Sequence, residues 1–144
     1  MTQRILIMGL PGSGKTTLAQ ALRTELWHAG RTVSWFNADE VRKRFDDWDF
    51  SLEGRIRQSQ RMRELADQVT TDYVIADFVA PVESMRLIFQ ARWVIWMDTI
   101  DCGRYEDTNQ LFVPPVIYDF RVPTQAAESW SQRIVAEMMP SETK

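Results

Sequence analysis

The chain has 144 residues, of which 44% are hydrophobic and 26% charged, an ordinary globular usage that excludes a fibrous repeat or a disordered tract. A net charge of -3 argues against a whole-surface basic footprint for nucleic acid, while leaving room for a local basic groove. Cys102 is the only cysteine and His28 the only histidine, so an intrachain disulfide and the usual Cys/His zinc arrangements are excluded. With no apolar run of transmembrane length and no secretory leader pattern, a cytoplasmic chain folded as one domain over 1–144 is expected.

Arg4 to Met8 is a short apolar run ended by glycines, the mark of a buried parallel strand. A helix is predicted from Lys15 to Ala29, with Leu18, Leu22 and Leu26 on one face, His28 an ordinary helix-end residue and Gly30 the stop. Thr32 to Phe36 is a second strand, and Ala38 to Phe45 a short helix. After a polar loop, Ser51 is placed to cap a helix from Leu52 to Thr70 whose inner positions are Ile56, Met62, Leu65, Ala66 and Val69.

Tyr73 to Val79 is the third strand, and Pro81 opens a helix that runs to Ala91. Trp93 to Met97 is the fourth strand. Hydrophobic period is lost from Asp98 to Pro115, which predicts a lid-like loop. Tyr118 to Val122 and Thr124 to Met138 read as a last strand and a closing helix. Alternating strands and helices predict an α/β chain in three layers, a mostly parallel five-stranded sheet flanked by helices; the glycine-rich turn ending in Gly14, Lys15 and Thr16 between the first strand and its helix makes this a P-loop NTPase fold.

Between the first strand and its helix, Gly9, Gly14, Lys15 and Thr16 satisfy G-x-x-x-x-G-K-[ST]. Backbone amides and the positive end of a helix surround an anion at such a turn, and Gly12 and Gly14 let the backbone approach phosphate without a Cβ. Gly9, Pro11, Gly12, Ser13, Gly14, Lys15, Thr16 and Thr17 are therefore the candidate nucleotide-binding set. Lys15 would reach the β and γ phosphates, and the Thr16 hydroxyl would ligate Mg²⁺. ATP and Mg²⁺ are the implied cofactors. No guanine-reading [NT]-K-x-D segment occurs, and the length leaves little room for a motor ATPase's accessory domains. A kinase for a small hydroxyl acceptor fits best.

The acceptor side rests on a resemblance. The segment NADEVRKRF, Asn37 to Phe45, resembles the Asp-Gly-Asp-Asn-x-Arg motif of the adenylylsulfate (APS) kinase family, with Asp39 on its second aspartate and Arg42 on its arginine. The family places these residues beside the acceptor. A carboxylate can orient a hydroxyl or take its proton, and a guanidinium can grip sulfate or phosphate; without the resemblance, Asp39 reads as a helix N-terminal charge. The stretch from Trp48 to Ala66 resembles the family's Gly-Phe-Ser turn and following helix. Phe50 and Ser51 fall on its Phe-Ser, Arg55 and Arg61 on arginines, and Gln58 on an asparagine. The resemblance implies that Phe50 stacks on the acceptor's adenine and that Arg55 binds its anionic group. Arg57 and Arg63 read as solvated surface.

VIADFVAP, Val74 to Pro81, resembles the family's Ala-Phe-Ile-Ser-Pro turn, matching at Phe78 and Pro81. Asp77 lies at the carboxyl end of a strand, where it either contacts Mg²⁺ through water or hydrogen-bonds the P-loop. RYEDTNQLFVPPVIYDFRV resembles the family's lid end, which puts Tyr105 on an aromatic position and Arg104 within reach of the transferring phosphate. Trp93 and Trp96 read as core. Catalytic roles thus fall to Lys15, Asp39 and Arg104, acceptor binding to Asp39, Arg42, Phe50, Arg55, Gln58, Phe78 and Tyr105, and Mg²⁺ to Thr16 and Asp77.

The resemblance implies transfer of the γ-phosphate of ATP to the 3′-hydroxyl of APS, and a homodimer. Asn37 replaces the motif's first aspartate, Glu40 its asparagine, and Ala80 a serine, and the lid carries no lysine. Another hydroxyl acceptor (a nucleoside, a sugar or a polynucleotide end) and a nucleotide-binding protein with little turnover stay open.

Overall fold

The computed structural model of the chain describes residues 1–103 and 105–139. Its first strand, β1 (Gln3–Gly9), runs into helix α1 (Lys15–His28), followed by β2 (Val33–Asn37), α2 (Ala38–Phe45), α3 (Leu52–Asp67), β3 (Tyr73–Asp77), α4 (Glu83–Phe89) and β4 (Trp93–Met97). Helix α5 (Glu106–Leu111), β5 (Phe120–Val122) and α6 (Ala127–Met138) complete the order. The five strands form one sheet in the order β2-β3-β1-β4-β5, and every neighbouring pair is parallel.

Strand alternation explains the layers. Ile5 and Ile7 of β1 face one side with Leu18, Leu22 and Leu26 of α1 and Ile134 and Met138 of α6. Leu6 and Met8 face the other with Val41 of α2, Met62 and Leu65 of α3 and Phe89 of α4. All four β1 side chains are fully buried, so both faces of the sheet must be covered and the strand reads as a continuous apolar run.

Boundaries differ from expectation at several ends, each for a local reason. Helix α3 stops at Asp67, three residues short of the expected end, which leaves Val69 half-buried; Ile56, an expected inner position within the helix, is also only half-buried. The third strand ends at Asp77 because the chain then turns through Ala80, which has a positive φ of 45°. Pro81 precedes α4 instead of opening it. Strand β5 begins at Phe120, since at Asp119 the side-chain carboxylate takes the Val94 N–H at 2.7 Å in place of a backbone carbonyl. The larger correction concerns 98–115, expected as loop, which contains α5. Its residues EDTNQL carry no apolar period; tertiary bonds hold the turn, with Asn109 accepting from the Gly103 N–H at 2.7 Å.

Register sets the site. Asn37 of β2 and Ile7 of β1 both pair with Asp77 of β3, and Gly9 pairs with Met97 of β4. The carboxyl ends of four strands therefore align along one edge, beside β1, where the strand order reverses and ligands of open α/β sheets bind. Trp93 and Trp96 pack against the two cores, one on each.

Candidate active site

The loop after β1 has the backbone that its glycines permit. Gly12 and Gly14 hold φ of 86° and 101°, a left-handed conformation costly for any residue with a Cβ. At Gly9 a Cβ would stand 2.6 Å from the Met97 carbonyl oxygen, so the loop can leave the sheet there only through glycine. Thr99 donates its hydroxyl to the Ser13 carbonyl at 2.7 Å, and the Gln125 amide approaches the Gly12 carbonyl at 3.4 Å. These two braces carry no signal in the loop's own sequence. Lys15 Nζ curls back to donate to the Leu10 carbonyl at 3.0 Å.

A cavity of about 720 Å³ opens over this loop, inside the ordinary range for small-molecule sites. Pro11, Gly12, Gly14, Lys15, Thr16 and Thr17 line one side. Gly9 and Ser13 do not reach it; the Ser13 side chain is fully buried, with a hydroxyl that has no hydrogen-bond partner among the described residues. The opposite wall includes Asp39, Arg42, Phe50, Arg55 and Gln58, and Phe78 and Tyr105 complete it. Arg104 lies outside the described residues.

Asp77 forms the floor at 2% exposure. The Trp35 indole donates to its Oδ2 at 2.6 Å, and the Asn37 amide to its Oδ1 at 3.0 Å. The same amide nitrogen stands 3.0 Å from the Thr16 hydroxyl, which in turn faces Asp77 Oδ1 at 3.4 Å. Burial pushes the Asp77 carboxyl up to about 6, against hydrogen bonds from Trp35 and Asn37 and the charge of Lys15. A hard hydroxyl and a carboxylate disfavoured by desolvation, side by side, suit a divalent cation. Among the described residues no group of three or more His, Cys, Asp and Glu is placed to hold a metal, and Mg²⁺ needs none, because it keeps several waters and shares carboxylates with substrate phosphates.

On the wall opposite the loop the arginines are tied into the protein itself. Arg42, 4% exposed, donates through Nη1 to the carbonyls of Asp47 and Asp49, both at 3.1 Å, and covers the Phe50 ring with its guanidinium 4.2 Å from the centroid. Arg55 donates to the Phe50 carbonyl at 3.0 Å and to the Thr108 hydroxyl of α5 at 2.8 Å. Both arginines thus shape the 46–50 loop as well as face the cavity, and desolvation lowers the pKa of each. Gln58 donates to the Ala38 carbonyl at 3.1 Å while its buried Oε1 has no partner among the described residues. Asp39 is exposed at the start of α2, and Ser51 caps α3 by accepting from Gly54.

Phe78 touches the cavity but packs edge-on against Phe89 at 6.1 Å, as a core residue does. Arg57 pairs with Asp47 and Asp49, and Arg61 with Asp47, a surface network away from the cavity. Glu40 is exposed and does not line the cavity, so the carboxylate at that position raises no charge conflict with an anionic acceptor. Sequence reasoning missed Trp35, Trp48, Asp107 and Thr108. Only the aromatic Trp48, two residues before Phe50, offered a local signal.

The adenylylsulphate kinase family profile matches residues 1–99. The chain is 35% identical over 85 residues to the bifunctional enzyme CysN/CysC of Rhodopirellula baltica, covering 57% of this chain and 13% of that protein. It is 32% identical over 95 residues to a probable adenylyl-sulfate kinase of Halalkalibacterium halodurans, covering 64% and 46%. The chain thus spans less than half the length of these curated relatives. Among solved structures, the Mycobacterium tuberculosis APS kinase CysC in complex with AMPPNP and APS superposes with a TM-score of 0.80 at 16% identity, covering 95% of this chain and 97% of that one. At that identity the likeness is one of fold.

Proposed function

The chain belongs to the adenylylsulphate kinase family, and from that premise we propose that it transfers the γ-phosphoryl group of ATP to the 3′-hydroxyl of APS. One observation carries the proposal: Lys15 of the phosphate loop and Asp39 and Arg42 of the acceptor motif border the same cavity. Donor and acceptor can meet there without a large rearrangement of the sheet.

In this reading Lys15 and the Gly12–Thr16 backbone hold the β and γ phosphates, and Thr16 and Asp77 hold Mg²⁺, which supplies charge neutralisation at the transferring phosphate. Asp39 orients the acceptor hydroxyl and accepts its proton. Arg42 and Arg55 receive the acceptor's anionic end through nitrogens that make no hydrogen bond among the described residues, Nε and Nη2 of Arg42 and Nη1 of Arg55. The Phe50 ring, half-exposed with the Arg42 guanidinium 4.2 Å and the Arg55 guanidinium 5.4 Å from its centroid, offers its exposed part to the adenine, and Tyr105 stands half-exposed at the rim. Closure of the 98–115 segment, with Arg104, excludes water as a competing acceptor. The homodimer and a cytoplasmic location belong to the same proposal; the exposed thiol of Cys102 suits a reducing compartment, and no described helix is long and apolar enough to cross a membrane.

Release of ADP from Mg-ATP with and without APS tests the reading, with the product weighed by mass spectrometry. APS-dependent ADP formation with one added phosphate on APS is expected. ATP binding without stimulation by APS would reject the acceptor and point to another hydroxyl; Asp39 and Asp107, two carboxylates on the acceptor side of the cavity, would suit a neutral polyol or nucleoside.

A further inference from the structure

The acceptor side holds a charge that neither the phosphate loop nor the acceptor motif accounts for. Asp107, at the start of α5, lines the cavity together with Arg55 and Thr108. Arg55 is tied at Nε to the Phe50 carbonyl and at Nη2 to the Thr108 hydroxyl, and among the described residues its Nη1 makes no hydrogen bond. Asp107 and Arg55 make no hydrogen bond to each other, yet the Asp107 charge bears on the Arg55 guanidinium. The Phe50 carbonyl of the 46–50 loop and the Thr108 hydroxyl of α5 hold that guanidinium in place, and Thr108 is next along the chain to Asp107.

We propose that Asp107 is a specificity-determining residue, whose carboxylate, presented by the lid helix at the Arg55 end of the cavity, weakens the binding of acceptors in proportion to their negative charge. The inference rests on the proposed function, since it takes Arg55 as the receiver of the acceptor's anionic group. Its chemical content is separate: a negative charge near an anion-binding guanidinium penalises each added ligand charge and leaves a neutral ligand unaffected. A kinase acting at the 3′-hydroxyl turns its acceptor into a more highly charged product, so the same carboxylate favours acceptor over product.

Steady-state kinetics of wild type and Asp107→Asn, with adenosine binding measured by calorimetry as the neutral control, test this. Asp107→Asn is expected to lower KM for APS about three- to tenfold at low ionic strength, the size of an unscreened charge contact across a protein surface. KM for Mg-ATP and adenosine affinity should stay within about twofold, Asp107→Glu should behave as wild type, and the gain should shrink in high salt. An unchanged KM for APS in Asp107→Asn, with APS-dependent turnover present in wild type, overturns the inference and leaves the proposed function standing. Equal changes for APS and adenosine also overturn it, since a packing effect would act on both. Absence of APS-dependent ADP release in wild type overturns both.

Discussion

Asn37 donates its side-chain amide to Asp77 at 3.0 Å across the parallel pairing of β2 and β3, where the two residues stand in register. The family motif resembled by this segment has an aspartate at that position, which would set two carboxylates in contact on the floor of the cavity. The amide removes that repulsion, and its oxygen still caps α2 by accepting from the Glu40 N–H. Asn37→Asp is therefore expected to destabilise the metal-free protein by about 2 kcal/mol at pH 8, from one lost hydrogen bond and one new like-charge contact. The loss should be smaller at pH 5, and millimolar Mg²⁺ should recover part of it. Urea denaturation at the two pH values, with and without Mg²⁺, measures each effect.

Asp77 itself predicts a pH dependence. Its carboxyl is raised from 3.8 to about 6 in the folded chain by burial, so the folded state holds this proton more tightly than the unfolded state does. Stability from this group is therefore present below pH 4 and lost as pH rises to about 6, a total of about 3 kcal/mol at about 1.4 kcal/mol per tenfold change. Above pH 7 the ionised carboxylate is a standing cost. Asp77→Asn should remove that cost, and it places one amide N–H against a donor from Trp35 or Asn37, so the net gain at pH 8 is about 1 kcal/mol. Its stability curve should be flatter than wild type between pH 4 and 6. A wild-type slope persisting in Asp77→Asn would assign the effect to another group.

What the sequence shows of this site divides by the range of the interactions. The phosphate loop was legible because its requirements are local: glycines where φ must be positive, then a lysine and a hydroxyl at the head of a helix. The five strands were legible from apolar runs, and Ser51 as a cap from its position before a helical period. Helix α5 was not, because Thr108 is held by Arg55, 53 positions away, and EDTNQL has no period of its own. Arg42 and Arg55 could be read as cations, but their bonds to the protein could not, since the carbonyls they satisfy become partners only when the 46–50 loop has folded. Asn37 shows as a departure from the family motif; its reason appears only when β2 and β3 pair.

The roles assigned to Lys15 and Asp39 separate in kinetics. Lys15→Ala should abolish measurable turnover and weaken ATP binding, because the phosphates lose the one side-chain cation of the loop. Asp39→Asn should leave ATP affinity within about twofold and lower kcat by about 100-fold or more, the ordinary worth of a positioned general base. Full activity in Asp39→Asn would leave the residue as a helix N-terminal charge. ATP titration and single-turnover rates on both variants distinguish the outcomes.

Arg86 of α4 anchors the far end of the 98–115 segment. Its Nε donates to the Ala80 carbonyl at 2.8 Å and its Nη2 to the Pro81 carbonyl at 3.1 Å and to the Val113 carbonyl, while the Val113 N–H bonds the Pro81 carbonyl at 2.7 Å. Burial lowers the Arg86 pKa to about 10, still well above any working pH, so the guanidinium stays charged and donates throughout. The carbonyls it meets belong to a turn where Ala80 is held at positive φ, a conformation that needs support from its surroundings. Arg86→Met keeps the stem and deletes the donors, and should cost about 2 kcal/mol by leaving the Ala80 and Val113 carbonyls without their partner. Because Ala80 and Pro81 line the cavity, KM for the acceptor should rise several-fold while KM for ATP changes little. Equal increases in both constants would mean that the loss spreads through the sheet edge and is not confined to this anchor, and hydrogen exchange at Val113 against that at Lys15 would locate it.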